Sequence, residues 1–196
     1  MKYLVVTGVF CAGLLSARLL DQTAAADPVP AAPIPTSPPA NPNHAIDMAG
    51  YLKVAQEAAK HRESRRVTED QFLRMAAEKG TIVLDARSKE LFDLLHVNGA
   101  INLSFPNIDI ESLKQTLPDK EARILIYCNN NFTDPAAPPG KGVAARAFPS
   151  KAPTASLNIS TYIALYNYGY RNVYELGPLV DPKTTKLTLE PTAATR

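Results

Sequence analysis

Two short apolar runs set the limits on what this chain can fold into. "TIVLDAR", residues 81–87, and "RILIYC", residues 123–128, are rich in β-formers and do not alternate apolar with polar residues. A strand with one wet face alternates, whereas a strand covered on both faces does not. Segments of helical periodicity lie between and around these runs. Alternation of that kind implies a parallel sheet with helices on both faces.

The helical segments carry their own boundary signals. "VTEDQFLRMAAEKG" sets Thr68 and Gln71 in capping-box register, continues with Phe72, Leu73, Met75 and Ala76 as an apolar stripe, and stops at Gly80. Ser88 stands as the cap of "KELFDLL", and "DIESLKQTLP" is a helix closed by Pro118. "HVNGAINLS" reads as a turn and a short strand, and "LNISTYIALYNYGYRNVYEL" as a helix ending at Gly169 followed by a strand over 172–176. Helical spacing makes Tyr162 and Tyr166 neighbours, a packing pair on that last helix. Upstream, "IDMAGYLKVAQEAAKHRE" places Met48, Tyr51, Leu52, Ala55 and Ala59 at helical spacing, the face expected to pack.

The N-terminus has a different character. Met1 and Lys2 give a positive start, "YLVVTGVFCAGLL" an apolar run, and Ala24 and Ala26 a small-residue cleavage pattern before Asp27. This predicts a signal peptide over 1–26 and a periplasmic or secreted protein, with an uncleaved membrane anchor as the alternative. The run is too short for a comfortable spanning helix. Residues 27–45 form a Pro/Ala-rich, polyproline-leaning linker, 46–66 an N-terminal helical extension, 67–180 the α/β domain and 181–196 a C-terminal tail. With 196 residues there is room for one domain with additions, and a formal charge of only +2 offers no basic field to attract nucleic acid.

There are two cysteines, and Cys11 lies inside the segment expected to be removed. Cys128 is then alone, so no internal disulfide is available in a compartment where disulfides are ordinary. Taken by itself, Cys128 is either a small apolar plug or a reactive sulfur presented at a strand's carboxyl end. The residues after it, 129–155, contain five prolines and two glycines and read as a long irregular insertion.

"TIVLDARSKELFD", "HVNGAINLS", "ILIYC" and "YNYGYRNVYEL" resemble, in order and spacing, the rhodanese-like domain family from about residue 67 to 176. Asp85 and Arg87 match the family's D-x-R, His96, Gly99 and Ala100 its H-I-x-G-A turn, and Cys128 its catalytic cysteine. The resemblance implies a rhodanese-like three-layer α/β fold, a five-stranded parallel sheet with the cysteine ending its central strand. It also implies a sulfurtransferase in which the thiolate takes the outer sulfur of thiosulfate or another sulfane donor, holds it as a persulfide and passes it to a thiol acceptor. That chemistry needs no metal and no organic cofactor. Asn129, Asn130, Asn131, Phe132 and Thr133 would supply the backbone cradle for a small sulfur-containing anion. Asp85 and Arg87 would form a structural ion pair or turn clamp beside the site, and His96 would hydrogen-bond loop backbone. No second histidine accompanies His96 to make a metal pair.

The loop itself departs from the family pattern. It reads "CNNNFTDP", without the usual arginines, and the later positions that match the family's second Arg and Ser are Leu157 and Asn158. Asp134, six positions after the cysteine, stands where a cysteine phosphatase needs an arginine, which argues against phosphoryl chemistry. Lys141, Arg146 and Lys151 would restore positive charge if the insertion closed over the thiol as a lid. A second reading is a non-catalytic binding module for a protein partner or small anion in the cell envelope, and a third is a redox-sensing thiol.

Overall fold

The computed structural model describes residues 43–133 and 142–192. The predicted signal peptide and most of the linker lie outside the described residues, as do Asp134 and Lys141. Among the described residues, no helix is long and apolar enough to cross a membrane.

The strands are β1 (Arg66–Val67), β2 (Ile82–Asp85), β3 (His96–Val97), β4 (Ile101–Asn102), β5 (Ile124–Tyr127), β6 (Val173–Leu176) and β7 (Leu189–Glu190). The helices are α1 (Met48–Arg62), α2 (Glu69–Ala76), α3 (Lys89–Leu94), α4 (Ile110–Thr116), α5 (Val143–Ala147) and α6 (Leu157–Asn167). Five strands form one sheet in the order β1-β6-β5-β2-β4, every pairing parallel. β5 is therefore the central strand, as the resemblance implied.

The missing alternation in the apolar runs has a direct cause. On β5, Leu125 and Tyr127 enter one core with Phe72, Phe132 and Phe148, while Ile124 and Ile126 enter the other with Leu113, Leu117, Tyr162 and Leu165. Each face is covered, so each position needs an apolar side chain. Burial of such a side chain stabilises by about 1.5–3 kcal/mol relative to exposure. The caps behave as their residues dictate: Gln71 N–H donates to Thr68 Oγ1 at 3.2 Å and Thr68 N–H to Gln71 Oε1 at 2.8 Å. Ser88 Oγ accepts from Leu91 N–H at 3.4 Å.

Three expectations change. First, α1 does not pack by its most apolar face: Met48, Tyr51 and Leu52 are exposed, and the inward face runs through Val54 and Ala58 against α6. Polar anchors select that face, since Arg62 Nε and Nη2 grip the buried Glu175 of β6 at 2.7 and 2.5 Å. Second, the tail is built into the fold: Leu187 is buried in the core, and β7 pairs antiparallel with β3 through His96 and Glu190. Third, the insertion is not wholly irregular. It contains α5, whose Ala147 and the following Phe148 are fully buried.

Tyr162 shows how firmly α1 is held. His61 Nδ1 lies 2.7 Å from the Tyr162 hydroxyl, which donates to the Val173 carbonyl at 3.3 Å. Burial pushes the Tyr162 phenol up to about 12 and lowers His61, so both are neutral at physiological pH. Tyr162→Phe keeps the ring and removes the bridge. It is expected to cost about 1–2 kcal/mol, read from the urea midpoint at unchanged slope. A variant as stable as wild type would mean that the bridge contributes nothing.

Candidate functional site

Cys128 follows β5 directly, at the carboxyl edge of the central strand, where parallel α/β sheets bind their ligands. The chain then tightens into a single 3₁₀ turn, Asn129–Asn131. Asn131 closes that turn: its Oδ1 accepts the Cys128 N–H at 2.9 Å, and its own N–H donates to the Cys128 carbonyl at 3.2 Å. Its Nδ2 reaches across to the Leu176 carbonyl at 2.7 Å. The segment after β6 is stitched to the loop by Thr133 N–H on Val180 O and Val180 N–H on Asn131 O, both at 2.8 Å.

The thiol is fully buried. Its Sγ lies 3.5 Å from the hydroxyl of Ser156, the residue before α6. Residues 149–156 form a strap fastened along the loop. Asn129 Nδ2 donates to the Pro149 carbonyl, Asn130 Nδ2 donates to the Lys151 carbonyl at 2.9 Å, and Lys151 N–H donates back to Asn130 Oδ1 at 3.3 Å.

This geometry narrows the expected anion cradle to the N–H groups of Asn129 and Asn130, for which no partner is found among the described residues. The N–H groups of Asn131, Phe132 and Thr133 are already donated, to Cys128 O, Asn129 O and Val180 O. Phe132 is a core residue, stacked on Phe148 at 3.9 Å and edge-on to Tyr127 at 6.1 Å. The asparagine side chains act as struts between the loop and its neighbours. Of the expected cationic lid, Lys141 lies outside the described residues, Arg146 and Lys151 are exposed, and among the described residues no lysine or arginine side chain hydrogen-bonds the thiol or the loop.

Asp85 and Arg87 are both fully buried and form a bidentate pair, with Arg87 Nε 2.9 Å and Nη2 2.6 Å from the carboxylate oxygens. The rest of the guanidinium is used on backbone, Nη1 donating to Ala147 O at 2.6 Å and Nη2 to Leu95 O at 2.7 Å. Arg87 also lies 4.5 Å from the Phe148 ring centroid, so it clamps α5 and the strap's origin to the sheet. Asp85 Oδ2 accepts the Tyr127 hydroxyl at 2.5 Å, and the Tyr127 hydroxyl oxygen in turn accepts the Val97 N–H at 3.0 Å. Burial, reinforced by the Asp85 carboxylate, pushes the Tyr127 phenol well above its usual range and keeps it a neutral donor. His96 bonds backbone, but helical rather than loop backbone. Its Nδ1 is 2.8 Å from the Phe92 carbonyl of α3, and its ring stacks on Phe92.

Four contributors to the site were not singled out as such in the sequence: Tyr127, Phe148, Ser156 and Asn158. The position of Asn158 could be found by counting back from Gly169, yet it shows nothing of its bond, Nδ2 to Asn131 Oδ1 at 2.9 Å. Among the described residues there is no group of His, Cys, Asp or Glu that could hold a metal ion. A groove of about 680 Å³ between α1, α6 and residues 105–108 is lined by no residue of the Cys128 loop.

A family model for the rhodanese-like domain matches residues 68–176. Among solved structures, the chain is similar to an E. coli rhodanese with anions, at 21% identity over 57% of this chain and 98% of that one, TM-score 0.36. It is also similar to the rhodanese-like domain of an Anabaena protein, at 18% identity over 67% and 83%, TM-score 0.41. A thiosulfate sulfurtransferase from Pseudomonas aeruginosa matches at 16% identity over 70% and 22%, TM-score 0.42. No curated protein matches the chain.

Proposed function

The chain belongs to the rhodanese-like domain family, and on that premise we propose that it is an exported sulfur carrier working through a persulfide on Cys128. The observation that carries the reading is the placement of Cys128 at the end of the central parallel strand, with the Ser156 hydroxyl 3.5 Å from its sulfur. In the first half-reaction the Cys128 thiolate attacks the outer sulfur of a sulfane donor. A Cys–S bond forms, the donor's S–S bond breaks, and the leaving group departs with the electron pair, as sulfite when the donor is thiosulfate. In the second, a thiolate acceptor attacks the outer persulfide sulfur and Cys128 leaves as thiolate. The transferred sulfur keeps its oxidation state over the cycle, so the balance calls for no redox cofactor. The Ser156 hydroxyl, 3.5 Å from Sγ, would donate to that sulfur when it attacks and when it leaves as thiolate. Because the thiol is buried, the strap over 149–156 has to part before a donor reaches it. Export is the part of the reading carried by the N-terminal signal pattern.

Intact mass after incubation with thiosulfate, and separately with a polysulfide, tests the proposal. A gain of one sulfur that reducing agent removes and that Cys128→Ser lacks is the expected result. No adduct from either donor, with the thiol titratable once the protein is unfolded, would overturn it. The burial of the thiol and the commitment of three of the five cradle N–H groups to other partners favour a second reading, a rhodanese-fold module that binds an envelope protein without chemistry. Cys128→Ala would then leave partner binding intact.

A further inference from the structure

The asparagines around Cys128 are oriented by backbone partners, so the atoms they leave over can be identified. Lys151 presents both its N–H and its carbonyl to Asn130, which fixes Oδ1 as acceptor and Nδ2 as donor. Asn130 Oδ1 also receives Asn129 Nδ2 at 3.1 Å, and the same amide nitrogen donates to Pro149 O. Asn129 cannot be turned round without losing both bonds. On the other side, the Cys128 N–H fixes Asn131 Oδ1 as acceptor and Leu176 O fixes its Nδ2 as donor. Asn158 must therefore offer its Nδ2 to Asn131 Oδ1.

What remains is Oδ1 of Asn129 and Oδ1 of Asn158, both buried and both without a hydrogen-bond partner. Asn129 is 0% exposed and Asn158 4%. One belongs to the residue following the thiol. The other belongs to an amide that shares Asn131 Oδ1 with the Cys128 N–H. A buried acceptor left unpaired is costly, and native proteins supply it with a donor from protein, water or ligand. Two orphan acceptors on residues tied to the Cys128 turn, with no described cation on the thiol, set partial negative charge against the cradle N–H groups left undonated, those of Asn129 and Asn130. Partial negative charge in a poorly solvated site disfavours an oxyanion and favours N–H donors.

We propose that Asn129 and Asn158 make the Cys128 site selective for a neutral or positively charged sulfur partner bearing N–H donors, an amine- or amide-containing persulfide or thiol, over a sulfur oxyanion. The identity of the ligand as a sulfur donor or acceptor rests on the sulfur-carrier reading, whereas the preference for charge does not. It can be measured without any sulfur transfer.

The measurement is the rate at which Cys128 in the full-length chain is modified by three methanethiosulfonates that share one reacting centre, the cationic aminoethyl, neutral methyl and anionic sulfonatoethyl reagents. Each rate is mapped to Cys128 by peptide mass and divided by the rate for a small neutral thiol. Strap opening is common to all three and cancels in the ratios. The normalised cation-to-anion ratio is expected to be several-fold above one in the wild type, and to move toward one in Asn158→Ala and Asn129→Ala variants whose folding is checked by circular dichroism. A wild-type ratio at or below one overturns the inference whatever the variants do, as does a ratio unchanged in two folded variants. If the preference holds while neither thiosulfate nor polysulfide loads the protein, the charge selectivity stands and the sulfur-carrier reading falls.

Discussion

Asp85→Ala is expected to lower the stability of the domain by about 3–5 kcal/mol, the usual cost of breaking a buried ion pair from one side. Arg87 is fully buried, and losing Asp85 leaves its charge with the Ala147 and Leu95 carbonyls as hydrogen-bond acceptors and no counter-charge in contact. The Tyr127 hydroxyl loses its acceptor in the same step. Since domains are stable by only about 5–15 kcal/mol, a loss of this size leaves little margin. For a domain of this length it corresponds to a fall in Tm of roughly 6–20 °C by calorimetry. The damage would also reach the Cys128 loop, because Arg87 holds α5 and faces the Phe148 ring, on which Phe132 stacks. The double variant Asp85→Leu, Arg87→Met removes both charges and should recover part of the loss. It cannot recover all of it, since two buried carbonyls would lose their donor. A wild-type Tm together with lost sulfur loading in Asp85→Ala would make Asp85 a participant in chemistry rather than a structural partner.

Asn131→Ala is the second large effect, expected to cost about 3 kcal/mol or more. One side chain serves three partners: it accepts from Cys128 N–H and from Asn158 Nδ2, and it donates to Leu176 O. Removing it leaves each of these polar groups unpaired, at about 1–3 kcal/mol apiece before water enters. Asn131→Asp separates the contributions. The carboxylate can still accept from Cys128 and Asn158 but sets an oxygen against the Leu176 carbonyl. Calorimetric Tm together with hydrogen exchange at the Cys128 amide would read both variants. If Asn131 were a substrate-binding residue and not a strut, Asn131→Ala would leave Tm and exchange near wild type and change only the donor concentration needed for loading.

These two predictions fall on residues whose roles differed in legibility. Asp85 and Arg87 stand two apart after a strand, and their pairing is a local event that the D-x-R spacing announces. Asn131 is equally visible as a letter, but its function depends on Leu176 and Asn158, which lie far along the chain. The same contrast runs through the fold. The capping box at Thr68 and Gln71, the end of α6 before Gly169 and the two-faced strands β2 and β5 are written in residues within a few positions of one another. The buried face of α1 was not legible from hydrophobicity, because Glu175 and Tyr162, more than 100 positions away, fix it through Arg62 and His61. β7 was not legible because a two-residue strand has no period of its own, and only its pairing with His96 and Val97 defines it.

The sequence by itself determined the class of the fold, the order of its elements and the delivery of Cys128 to the edge of the central strand. Periodicity, caps and an apolar run act over a few residues and need no partner to be read. Tertiary structure alone decided that the thiol is buried, that the asparagine amides are struts between loop and strap, and that Oδ1 of Asn129 and of Asn158 is left without a partner among the described residues. A side-chain amide can donate or accept at either end. Which end is left over is settled only by the groups that fold against it.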